Sequence, residues 1–139
     1  MNLILIDDDL LVTTALKIIL EADPEFHVIA TGTSGAEAIM LYNIHRPDLL
    51  LLDEHTAALD PKTADKVLQI TEEIVARDNL TTLMVTHNMK NAIQYGNRLI
   101  MMDAGRVVVD IRGEEKKNLT VRDLLEKFNI ESDRMLLSE

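Results

Sequence analysis

Residues that could do chemistry follow short apolar runs at three points along the chain, and at two of them they are carboxylates. Leu3 to Ile6 leads into Asp7, Asp8 and Asp9, Leu49 to Leu52 into Asp53 and Glu54, and Thr82 to Val85 into Thr86 and His87. If these runs are parallel strands, their carboxyl ends share the edge at which open α/β sheets bind ligands. Carboxylates that close repel one another and raise each other's pKa unless a cation neutralises them. A hard, oxygen-seeking ion such as Mg2+ would do so. The plainer alternative, that acids follow strands because turns are polar, stays open at this point. His27, His45 and His55 lack the spacing of a zinc site.

Those runs need elements to hold them in place. Near-continuous apolar runs of four or five residues mark strands covered on both faces, and Val28 to Ala30 and Leu99 to Met102 extend the series. Between them lie helical patterns. Leu11, Ala15, Ile18 and Ile19 give one apolar stripe; Ala36, Ile39, Met40 and Asn43 give another behind a Ser34–Glu37 capping box. Val67, Ile70, Ile74 and Val75 mark the longest helix, with Asp60 as N-cap and Pro61 at its first position. Asn88 to Tyr95 forms a short helix closed by Gly96, and Asp103-Ala104-Gly105 turns a hairpin. GEEKKN reads as a solvated turn, Thr120 caps a helix through Phe128, and 130–139 reads as a frayed tail. The alternation predicts one α/β domain over 1–139, a three-layer sandwich with a mostly parallel sheet.

Composition narrows the function classes. The 139 residues include no cysteine, so a disulfide scaffold, a thiolate metal site and a cysteine nucleophile are excluded. A net charge of −10 argues against nucleic acid as a partner. No apolar run approaches the roughly 18 residues of a membrane span, and the acidic N-terminus is unlike a secretory signal. The expectation is a soluble, cytoplasmic protein. Charge is also uneven: residues 1–60 hold 11 acids and 2 bases, and residues 61–139 hold 13 acids and 12 bases.

Two family resemblances meet in the middle of the chain. Residues 1–53, through ILIDDDLLVTTALKIIL and RPDLLLLD, resemble the first half of a response-regulator receiver domain, which has a flavodoxin-like fold. That resemblance implies strand order 2-1-3-4-5, Mg2+ held by Asp7 and Asp8, and Asp53 as phosphoacceptor. Residues 54–129, with the shared LLLLD before them, resemble the C-terminal half of an ABC-transporter ATP-binding domain, a P-loop NTPase. The carriers are LLLLDEHTAALDP, VTHNM, NRLIMMDAGRVVVDI and GEEKKNLTVRDLLEKF. This second resemblance implies a magnesium-associated Asp53, a water-activating Glu54, a D-loop Asp60 and a γ-phosphate sensor in His87. The two patterns overlap only at LLLLD, so the chain reads as an engineered chimera joined within residues 47–54.

Each inherited chemistry lacks a part. No GxxxxGK[ST] segment occurs to cradle phosphates, and the ABC signature stretch is missing. The lysine that receivers keep at the end of the fifth strand is replaced by Met101-Met102-Asp103. The expectation is therefore a scaffold that is not an enzyme, with Asp53, Glu54 and His87 vestigial. It would require no cofactor, bind Mg2+ weakly at most, and have neither ATP nor a membrane as partner. A receiver-like module phosphorylated on Asp53 is the alternative; ATP binding and hydrolysis ranks last.

Overall fold

The computed structural model describes residues 1–54, 56 and 59–137, with side chains described as far as residue 130. The chain divides into two compact units, Met1–Thr86 and His87–Glu139.

In the first unit, strands β1 (Asn2–Asp7), β2 (His27–Gly32), β3 (Leu49–Asp53) and β4 (Thr81–Val85) form a parallel sheet in the order β2-β1-β3-β4. Three helices connect them: α1 (Leu10–Glu21), α2 (Gly35–His45) and α3 (Pro61–Asp78). Because side chains alternate across a strand, each central strand feeds two cores. Ile4, Ile6, Leu50 and Leu52 pack with Ala38 and Tyr42 of α2 and Ile74 of α3. Leu3, Leu5, Val28 and Leu51 pack with Leu16 and Leu20 of α1 on the other face. Leu3 to Ile6 and Leu52 are fully buried, which explains why these runs carry no polar residue.

The helix starts follow their expected chemistry. Ser34 accepts the Glu37 N–H at 3.2 Å, while the Glu37 carboxylate reaches back to the Thr33 N–H at 2.7 Å. Asp60 accepts the Thr63 N–H at 3.1 Å with Pro61 at the first turn, as expected. The expected face of α1 is corrected. Leu11, Ile18 and Ile19 are exposed, and Thr13, Leu16 and Leu20 turn toward the sheet instead. In α2 likewise, Ala36, Met40 and Asn43 are exposed while Ala38 and Tyr42 are buried.

The second unit holds α4 (Met89–Gln94), β5 (Arg98–Asp103), β6 (Arg106–Arg112), α5 (Glu114–Lys117) and α6 (Val121–Leu137). Its core joins Leu99, Val109 and Ile111 of the hairpin to Leu124 of α6, which is fully buried. The hairpin is antiparallel as expected, but its turn is tighter. Only Ala104 (φ 50°) and Gly105 (φ 77°) lie between the strands, the two positive φ values of a primed turn. The expected order 2-1-3-4-5 holds through β4; among the described residues β5 pairs with β6 alone. A two-residue turn lets β5 and β6 pair with each other at little loop-entropy cost.

Two further expectations change here. GEEKKN is not a solvated turn, because α5 forms there and Lys116 is buried (3% exposed). Its Nζ donates to the carbonyls of Ile93 (2.6 Å), Tyr95 (3.0 Å) and Gly96 (3.0 Å), placing a cation at the C-terminal end of α4. The supposed tail from 130 is helical to Leu137, consistent with 121–137 containing neither Gly nor Pro. None of the helices is long and apolar enough to cross a membrane, among the described residues.

Candidate functional site

The carboxyl edge of the four-stranded sheet is built by register. Leu5 pairs with Leu51 and, two residues on, Asp7 pairs with Asp53, so both strands end in an aspartate at the same level. Asp53 is in turn the register partner of Val85 at the end of β4. The Asp7–Asp53 adjacency expected from the sequence is thus present in the backbone.

The three aspartates after β1 have separate tasks. Asp9 is the N-cap of α1, and its carboxylate accepts the N–H groups of Leu11 (2.9 Å) and Val12 (3.4 Å). Asp7 is buried at 5% exposure, and its Oδ1 accepts the Asp9 N–H at 2.9 Å, which fixes the cap. Asp8 is exposed. Part of the triplet is therefore explained by helix initiation, a role the spacing DDDLLV could have revealed.

Beyond β3 the chain makes an abrupt change of direction. Glu54 takes φ 49°, a left-handed conformation that costs a side-chain-bearing residue energy. Its N–H donates to the Val85 carbonyl at 3.0 Å, which extends the β3–β4 ladder by one bond and holds the turn. Glu54 is half-buried, with Oε1 buried. Strained backbone of this kind collects at sites where a side chain must be aimed.

Asp60 caps α3, and its hydrogen bonds from the Thr63 hydroxyl and N–H hold its carboxyl below the usual value. Thr86 is half-buried at the end of the first unit. His87 is exposed and opens the second unit. His27 is exposed at the start of β2 and His45 at the end of α2, while His55 lies outside the described residues. Among the described residues no three His, Asp or Glu side chains are placed to hold a metal ion together. Two in-register carboxylates suit Mg2+ that arrives with phosphates, since that ion is commonly held by one or two carboxylates plus substrate oxygens.

No family model matches the chain. Curated relatives do. The chain is 50% identical over 106 residues to a tyrosine transport ATP-binding protein of Clostridioides difficile. It is 46% identical over 68 residues to an aliphatic sulfonates import ATP-binding protein of Agrobacterium fabrum. Both are named ATP-binding proteins. The matches cover 76% and 49% of this chain, which spans only 42% and 26% of the respective relatives. The 106-residue match is longer than residues 54–129, so sequence similarity reaches past the stretch that carries the ABC resemblance. Among solved structures, the receiver domain of NarL from Mycobacterium tuberculosis aligns at TM-score 0.49 and 21% identity, over 67% of this chain and 73% of that one.

These relatives overturn three expectations from the sequence. A scaffold without activity, a chain that is not an enzyme, and a protein with neither ATP nor a membrane as partner all conflict with relatives named for ATP binding in transport and import. Those expectations rested on missing parts: a GxxxxGK[ST] segment, the ABC signature stretch and the lysine at the end of the fifth strand. A motif absent from 139 residues weighs less than 50% identity across 106 of them.

Proposed function

We propose that the chain binds a nucleoside triphosphate, ATP by analogy with its relatives, through the phosphates at the carboxyl edge of its parallel sheet, and that it supplies the acidic half of a hydrolytic site. The observation that carries this reading is Asp53, in register with Asp7, followed by Glu54 in a strained conformation tied to β4. Asp53 would hold Mg2+ with help from Asp7 or the exposed Asp8. The ion would neutralise charge on the phosphates. Glu54 would orient a water and accept its proton, the role of a positioned carboxylate base.

The sequence contains no phosphate loop. Backbone N–H groups around the β- and γ-phosphates would then come from outside these 139 residues, and binding by them alone would be weak. By the same analogy the complete site would work in an importer assembly at a membrane.

Calorimetric titration of the full chain with ATP, in Mg2+ and then in EDTA, tests the reading. Saturable, Mg2+-dependent heat should appear and weaken about tenfold in Asp53→Asn. Glu54→Gln should keep that heat and lose any phosphate release. No saturable heat in the wild-type chain, or equal heat in Asp53→Asn, would refute the assignment.

A further inference from the structure

The fourth helix is too short to stand alone. α4 has six residues, none of them fully buried, and isolated helices need about 12–15 residues to be even marginally stable. Its apolar residues Met89, Ala92 and Ile93 are only partly buried against the core of the second unit. At its start the Asn88 side chain accepts the Asn91 N–H at 3.1 Å. Its other end is closed by a side chain from a different element. The Lys116 Nζ donates to the carbonyls of Ile93, Tyr95 and Gly96 at 2.6, 3.0 and 3.0 Å, and α5, which carries Lys116, has just four residues.

This cage does not open by halves. Lys116 is buried, so withdrawing the carbonyls alone would leave an ammonium in the interior short of three acceptors, and withdrawing the ammonium alone would strand the carbonyls. Unwinding α4 while Lys116 moves into water relieves both at once. The remaining core has its own contacts: Leu99, Val109 and Ile111 of the hairpin pack with Leu124 of α6, and β5 pairs with β6 through a two-residue turn. We infer that Lys116 and α4 form a latch, a local two-state device in which α4 is wound only while the ammonium is seated, and which opens without unfolding of the hairpin and α6. His87 leads directly into the Asn88 cap, so the latch also sets the backbone beside that side chain.

Two probes of the wild-type full chain test the latch. Trace acylation of lysines by a water-soluble active ester, located by peptide mass, gives the exposure of Lys116 relative to its exposed neighbour Lys117. Amide hydrogen exchange gives the opening of α4. Lys116 should react at least about tenfold more slowly than Lys117, and the opening constants from the two probes should agree within about threefold. Both should exceed the opening constant of the most protected β5 and β6 amides at least about tenfold. Lys116→Met should remove protection from the α4 amides and keep it in β5 and β6, whereas Lys117→Met should change neither. Reaction of Lys116 as fast as Lys117 would overturn the inference, and so would exchange of the α4 amides while Lys116 stays shielded. Opening of Lys116 and α4 only together with β5 and β6 would overturn it too, as would loss of protection in β5 and β6 in Lys116→Met, since the contact would then be a fixed part of the core.

Discussion

Glu54 offers a test that separates backbone strain from loss of the carboxylate. Its φ of 49° places an L-residue in the left-handed region directly after β3. For a residue with a Cβ that conformation costs roughly 1–2 kcal/mol. Glycine avoids the cost but gives back roughly 0.4–1 kcal/mol through the greater freedom of its unfolded chain. Glu54→Gly should therefore be more stable than Glu54→Ala by about 0.5–1 kcal/mol, the alanine variant serving as reference because both lose the carboxylate. With a urea slope of about 1–3 kcal/mol per molar, the two midpoints should differ by about 0.5 M. Both variants should lose the Glu54-dependent phosphate release. A Glu54→Gly midpoint at or below that of Glu54→Ala would show that the backbone turn after Asp53 is not strained, and would remove the geometric reason for giving Glu54 a functional role.

Other consequences concern the parts that hold the two units in shape. Lys116→Met keeps the apolar stem of a buried side chain but strips three carbonyls of their donor; it should cost about 2–4 kcal/mol, read from urea melts, with faster amide exchange in α4, and a loss under about 0.5 kcal/mol would refute the cage. Asp78 accepts hydrogen bonds from Arg77, from the Tyr42 hydroxyl and from Arg46, and these hold its carboxyl far below the usual 3.8. A lowered folded pKa gives stability present above the unfolded value and lost as pH falls through the folded one. The wild-type advantage over Asp78→Asn should thus be full above about pH 4 and shrink below it in melts taken across pH; an advantage that grows on acidification would contradict the network. Asp9→Ala should destabilise the first unit by about 1 kcal/mol through loss of the α1 cap, whereas the exposed Asp8→Asn should leave the melt unchanged.

Strand placement was readable because strands two-faced in burial carry no polar residue, and Leu3 to Ile6 and Leu49 to Leu52 are such runs. The neighbouring of β1 and β3, and with it the pairing of Asp7 with Asp53, followed from the strand order that the receiver resemblance implies rather than from the acids that end each run. Helix faces were less so. In α1 the sequence has apolar residues at 11, 15, 18 and 19 and also at 16 and 20, so periodicity finds a helix without choosing its buried side. The cap made by Asp9 starts the helix, and the path to β2 then decides which side meets the sheet. In α3 one apolar stripe stands on an otherwise polar helix, and there Val67 and Ile74 are buried as expected. Lys116 was invisible in GEEKKN because four charges in a row suggest water, and only the three converging carbonyls reveal why one of them is buried.

The partition of the acids sharpens the functional argument. Five carboxylates at one sheet edge look from sequence like a metal cage, but Asp9 is committed to the α1 cap and Asp7 to the Asp9 N–H. Each hydrogen bond uses part of its carboxylate's acceptor capacity. Asp53 is half-buried and in register with Asp7, Glu54 is held behind it by β4, and Asp8 is exposed nearby in sequence. With Asp7 and Asp9 engaged in the helix start, this edge is better suited to a divalent ion that brings phosphate oxygens with it than to a bare one. Binding of Mg2+ should accordingly depend on nucleotide, so that the ion alone gives little heat and the ion with ATP gives more than either. Tight Mg2+ binding without nucleotide would mean that the carboxylates hold the ion without phosphate oxygens, and the nucleotide-dependent reading of this edge would lose its physical basis.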